Sequence, residues 1–171
     1  PDGLAAWQAI TISVIGACLA GASWGFIPGI LKATVNANEV ITSLMLVFIG
    51  IALGQYAIST LFPSQSNQTE AVPFDRLLPN IWTGTLVTAG ALLALAALLV
   101  AIVLMTGTSL GFQIRAVGLN RNTARISGMR TGRVIVLAFA TGGAFGGLAG
   151  AIAVLGINGA VVAGFSANFG F

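Results

Sequence analysis

Histidine, lysine, cysteine and charge are all scarce in this chain, and each scarcity removes a class of chemistry. Histidine is absent, so no Ser, Cys or Asp can pair with an imidazole base in the usual nucleophilic constellations. A transition-metal site built from protein side chains is not expected either. The single cysteine, Cys18, lies in an apolar run and has no disulfide partner within the chain. The one lysine, Lys32, stands in "PGILKAT", which does not fit the Gly-x-x-x-x-Gly-Lys-Ser/Thr loop that wraps the phosphates of ATP. Catalysis by this polypeptide is therefore not expected, and no cofactor or nucleic-acid partner is implied. Seven basic and four acidic side chains are spread over 171 residues, too few to cover a water-soluble domain of that length.

What the chain does contain is apolar surface. Of its residues 57% are hydrophobic and the mean hydropathy is +0.99. A helix needs about 20 predominantly apolar residues to cross the hydrocarbon, and Gly3 to Leu31, Val40 to Thr69, Leu77 to Ile114 and Val134 to Phe171 carry no charge. A membrane barrel would alternate apolar and polar positions in segments of about ten residues, whereas "ALLALAALLVAIVLM" (91–105) is apolar on every face. The fold class expected is an all-α, polytopic bundle of transmembrane helices, one membrane-embedded domain over 1–171. The spans predicted are about Leu4–Phe26, ending where Pro28 and Gly29 interrupt the helix, then Glu39–Leu61, Ile81–Met105 and Val134–Leu155. "GINGAVVAGFSANFGF" (156–171) reads as a turn or broken helix opening a further membrane element. "PDGLAAW" lacks the basic segment of a secretory signal, and the other end has neither polar tail nor helix stop. The chain is expected to be the interior piece of a longer protein.

Lys and Arg of short loops collect on the cytoplasmic side. Arg115, Arg121, Arg125, Arg130 and Arg133 fall between 107 and 133 with no acid among them, while 62–80, with its prolines and amides, has Arg76 against Glu70 and Asp75. Loop 107–133 is thus predicted to be cytoplasmic and 62–80 extracytoplasmic, which places Lys32 inside as well. Glycines recur every fourth residue on three spans: Gly21, Gly25 and Gly29; Gly50 and Gly54; and Gly142, Gly146 and Gly150 beside a second stripe of Gly143 and Gly147. Such stripes let helix backbones approach closely in lipid, where the hydrophobic effect does not separate helix from tail. Packing within one bundle and a dimerisation seam both fit them.

Two polar segments interrupt the apolar pattern. In "GLNRNTARISGM" (118–129), Asn120 or Asn122 can cap a helix of about two turns that Gly128 closes in the left-handed conformation. Arg121 and Arg125 share a face of it, with Ala124 beside them. So short a helix is unstable alone and too polar for the bilayer, so either the lipid surface or a cytoplasmic partner must hold it; the arginines by themselves fit a topology signal equally well. The second segment runs through Asn36, Asn38 and Glu39. From there Glu39, Ser43, Val47, Gly50 and Gly54 form one narrow helical face, whose polar end either lines a solute route or simply places Glu39 at the membrane boundary, meeting the helix dipole.

"GFQIRAVGLNRNTARISGM" resembles the cytoplasmic loop of permease subunits of bacterial ATP-binding-cassette (ABC) importers, in the family of simple-sugar, nucleoside and branched-chain amino acid permeases. "GFIPGILKATVNANEVITSLML" resembles a second signature, of the nucleoside and simple-sugar branch. The resemblance implies a multi-pass inner-membrane transport subunit, about half of a full permease. Its partners would be a separate cytoplasmic ATPase, a second permease subunit and an extracytoplasmic solute-binding protein. It implies an ATPase-coupling role for Arg115, Gly118, Asn120, Arg121, Ala124, Arg125, Ser127 and Gly128. Asn36, Asn38, Glu39, Ser43 and Val47 would then belong to the solute path, although Val47 stands where related sequences commonly carry Asn. The solute expected is a nucleoside or simple sugar, neutral or weakly charged because no span has a basic residue in its interior. The alternatives are a branched-chain amino acid permease and an ion-coupled carrier, for which Glu39 is the sole ionisable candidate.

Overall fold

The computed structural model describes residues 6–61 and 89–158. Six α-helices follow one another: α1 (Ala6–Val35), α2 (Glu39–Leu61), α3 (Gly90–Gly107), α4 (Ser109–Leu119), α5 (Arg121–Ile126) and α6 (Thr131–Ala153), the last ending in a π-helical turn, Val154–Asn158. No strand occurs among the described residues. Four of the helices, α1, α2, α3 and α6, are long and apolar enough to cross a membrane. The bounds of α2 coincide with the predicted second span. Loop 62–80, the start of the third span at 81–88 and the segment after 158 lie outside the described residues.

The first predicted span needs correction. It does not stop at Pro28; α1 continues through it to Val35. Proline lacks the amide that would bond the carbonyl four residues back, so the local rule is a break. In hydrocarbon a broken backbone leaves unsatisfied polar groups, and proline inside a membrane helix is tolerated where neighbouring helices support it. That support is present: Pro28 is buried, and Gly25 and Gly29 on either side of it lie against α6. The turn comes at Asn36, which takes a left-handed φ of 52°, an accessible conformation for Asn. The Ala37 amide reaches back to the Leu31 carbonyl at 3.4 Å. Asn38 then starts α2, its Oδ1 accepting from the Val40 amide at 3.0 Å.

The most extensive packing among the described residues is between α1 and α6, which run antiparallel. Glycine makes it possible. A Cβ added at Gly21 would lie 2.9 Å from the Gly147 Cα, one at Gly143 would lie 3.1 Å from the Gly25 Cα, and one at Gly29 would lie 3.1 Å from the Val136 Cα. The first is closer than real side chains come and the other two are tighter than most, so these backbones lie directly against each other. The contact falls on the Gly143 and Gly147 stripe. At Gly142, Gly146 and Gly150 an added Cβ meets nothing within 4 Å.

The stretch between the third and fourth spans is helical for most of its length rather than a loop. At Thr108 the backbone is extended (φ −116°, ψ 155°). Its hydroxyl donates to the Leu104 carbonyl at 2.6 Å and accepts from the Gly111 amide at 3.1 Å. One side chain therefore ends α3 and caps α4. Gly111 packs against Leu104 and Met105, where a Cβ would fall 2.6 Å from the Met105 Cα, so α4 folds tightly back on the end of α3.

Candidate functional site

The segment 118–129 builds as its residues direct. Asn120 Oδ1 accepts from the amides of Asn122 and Thr123 at 3.0 and 3.1 Å, and Gly128 closes the helix with φ 81°. After it the Met129 amide returns to the Ala124 carbonyl at 3.1 Å. Between these caps α5 has six residues, too few to persist by its own hydrogen bonds. Much of what holds it is the chain itself. Ala124, only 4% exposed, packs with Val117 of α4 and Val134 of α6, and Ile114, Met129 and Ile135 close around them.

The predicted coupling residues separate by direction. Ala124 faces inward. Arg121 is half-buried, and its Nη1 donates to Asn36 Oδ1 at 2.9 Å, so it reaches across to the α1–α2 turn instead of sharing an outward face with Arg125. Arg115, Gly118, Asn120, Arg125, Ser127 and Gly128 are exposed. Two apolar residues that sequence reasoning passed over stand beside them, Leu119 at 89% and Ile126 at 88% exposure. The signal for Ile126 was present: two residues along a helix is a rotation of about 200°, so a residue two beyond the inward Ala124 must point away from the bundle.

The predicted path residues separate as well. Asn36 is engaged by Arg121, Asn38 caps α2, and Glu39 at the first position of α2 places Oε2 3.5 Å from Lys32 Nζ. These three cluster with α5 at one end of the bundle, where a cavity of about 350 Å³ is lined by Lys32, Glu39, Arg121 and residues of α4 and α6. Ser43, Val47 and Gly50 instead line a larger cavity of about 980 Å³ between α1, α2 and α6, with Gly146 and Gly150 on its far wall. Gly54 takes no part in that wall. Among the described residues, Ser13 and Ser43 supply the only side-chain hydroxyls in the lining, and the Trp24 ring lies 3.6 Å from where a Gly50 Cβ would be. The predicted face of α2 thus turns toward open space over its middle third, with an apolar surface and few hydrogen-bonding groups.

Long apolar helices joined by a short capped helix at one end, with a cavity between them, describe a multi-pass α-helical membrane protein. The chain belongs to the family described as branched-chain amino acid transport system / permease component, whose model matches residues 4–171. It is 35% identical to the glucose ABC transporter permease protein TsgB13 of Haloferax volcanii over 96% of this chain and 50% of that protein. It is 32% identical to the nucleoside ABC transporter permease protein NupB of Lactococcus lactis over 84% of this chain and 42% of that one. With the guanosine ABC transporter permease protein NupP of Bacillus subtilis it shares 33% identity over 86% of this chain and 44% of that relative. The chain spans about half the length of the curated relatives it matches. No solved structure matches it significantly.

Proposed function

We propose that this chain contributes the membrane-spanning path of an ABC importer for a nucleoside or simple sugar, and that α5 is its contact with a separate cytoplasmic ATPase. The observation that carries the docking reading is the two-sidedness of α5. Its inner side is anchored through Ala124, while Ile126 and Leu119 stand almost fully exposed beside Arg115 and Arg125. An apolar pair rimmed by cations suits a desolvated contact with a protein groove better than it suits water. Membership of the permease family supports the importer class, and the named solutes of the relatives favour sugar or nucleoside over branched-chain amino acid. In this reading 107–133 faces the cytoplasm of a bacterial inner membrane and 62–80 the opposite side. A solute-binding protein delivers the cargo there, and a second permease subunit completes the assembly.

The fold suggests how force passes inward. ATP-driven closure of the ATPases displaces α5, which is seated on α4 and α6 through Val117 and Val134. Because α6 is locked to α1 backbone to backbone, the two move as one body, and rigid-body displacement is how such bundles switch. The test is affinity purification of the protein from its native membranes, with partners identified by mass spectrometry, alongside Arg125→Glu. A P-loop ATPase should co-purify with the native protein, and the variant should insert normally but recover at least about tenfold less of it. Failure to recover an ATPase after cross-linking would overturn the reading and leave the arginines as a topology signal.

A further inference from the structure

We infer that the Arg121–Asn36 hydrogen bond is the mechanical link by which movement of α5 reaches α2, making Asn36 a positioning residue for the solute path. The inference rests on the importer reading above. Its first support is geometry: at 2.9 Å the bond joins side chains 85 positions apart and ties the base of α5 to the α1–α2 turn. Its second is the stiffness of that turn. Within it Asn36 is left-handed, Ala37 bonds back to Leu31, Asn38 caps α2 and Lys32 pairs with Glu39. A pull on Asn36 is therefore passed to the first turn of α2 instead of being absorbed by a slack loop.

The third support is what α2 carries. Ser43 lies one turn above Glu39, about 6 Å along the axis at 1.5 Å per residue, and Ser43, Val47 and Gly50 face the larger cavity. Displacing the base of α2 tilts those residues relative to the α1–α6 wall. Two outputs thus leave α5: one through Ala124 to the α1–α6 body, and one through Arg121 to α2. Their difference changes the cavity.

The test separates the hydrogen bond from the backbone conformation. Asn36→Gly keeps the left-handed turn and removes the acceptor; Asn36→Asp keeps an acceptor and also tolerates that conformation. Both are measured in the complete transporter, reconstituted in proteoliposomes with its ATPase and binding protein, reading ATP hydrolysis and solute uptake separately. Asn36→Gly should hydrolyse ATP at the native rate while uptake per ATP falls about fivefold, at the lower end of ordinary coupling between sites. Asn36→Asp should restore it. Native uptake per ATP in Asn36→Gly, or equal loss in both variants, would overturn the link while leaving the importer reading intact. Absence of ATPase assembly with the native protein would instead overturn the importer reading and the link with it.

Discussion

At positions 142 and 143 two adjacent glycines differ in what surrounds them. A methyl on Gly143 would collide with the Gly21 backbone, whereas one on Gly142 meets nothing within 4 Å. Gly143→Ala should therefore destabilise the α1–α6 pair by about 1–3 kcal/mol, the ordinary range for overpacking. Gly142→Ala should be neutral or stabilising by up to about 1 kcal/mol through helix propensity. Thermal unfolding of the purified protein in detergent compares them directly, and equal effects would count against direct backbone contact at Gly143. Ala124 is a third small residue with its own reason: it is the one side chain of α5 buried against α4 and α6. Ala124→Asp would place a charge among Val117 and Val134 without compensation. If α5 docks an ATPase as proposed, the variant is expected to abolish ATPase recovery while membrane insertion persists, although Ala124 faces inward.

Among the elements, α5 depends most on its ends. Six residues leave few internal hydrogen bonds, so the Asn120 cap and the Gly128 closure carry a large share of its order. Asn120→Ala should cost about 1 kcal/mol of local stability, and Gly128→Ala a similar amount, because φ of 81° is strained for a residue with a Cβ. In hydrogen exchange each appears as amides of 121–128 opening about fivefold faster with α1 and α6 unaffected. Exchange at the native rate would mean that packing of Ala124 alone holds the helix.

At the scale of the whole molecule, the antiparallel run of α1 and α6 and the Arg121–Asn36 contact bring Lys32, Glu39, α4 and α5 to one end of the bundle. Lys and Arg in short loops stay on the cytoplasmic side, so this end is expected to face the cytoplasm. In a Cys18→Ala background, a cysteine at Ser127 should react with a membrane-impermeant maleimide only from the cytoplasmic face, and one at Ser66 only from outside. Reaction of both from one side would overturn the topology.

Features that a single helix decides for itself could be read from the chain alone. The all-α class and the presence of four spans follow from charge-free stretches of sufficient length, because hydrocarbon admits no unsatisfied backbone. The α2 start at Glu39, the Gly128 closure of α5 and a start of α5 at Asn120 or Asn122 follow from side chains that bond their own neighbouring amides or accept a left-handed turn, and the folded chain uses Asn120. Features that depend on a neighbour were decided only in the tertiary structure. Pro28 predicts a break, yet α1 passes through it because α6 packs against both flanking glycines. Two glycine stripes on α6 are equivalent as patterns, and the position of α1 chooses Gly143 and Gly147. Arg121 and Arg125 are one turn apart and chemically identical, and only the folded chain sends the first to Asn36 and leaves the second exposed. Local rules act through a residue's own backbone; the direction a side chain takes depends on what lies across the gap, and that is set by residues far away in the chain, 85 positions for Arg121 and Asn36 and more for the glycines of α1 and α6.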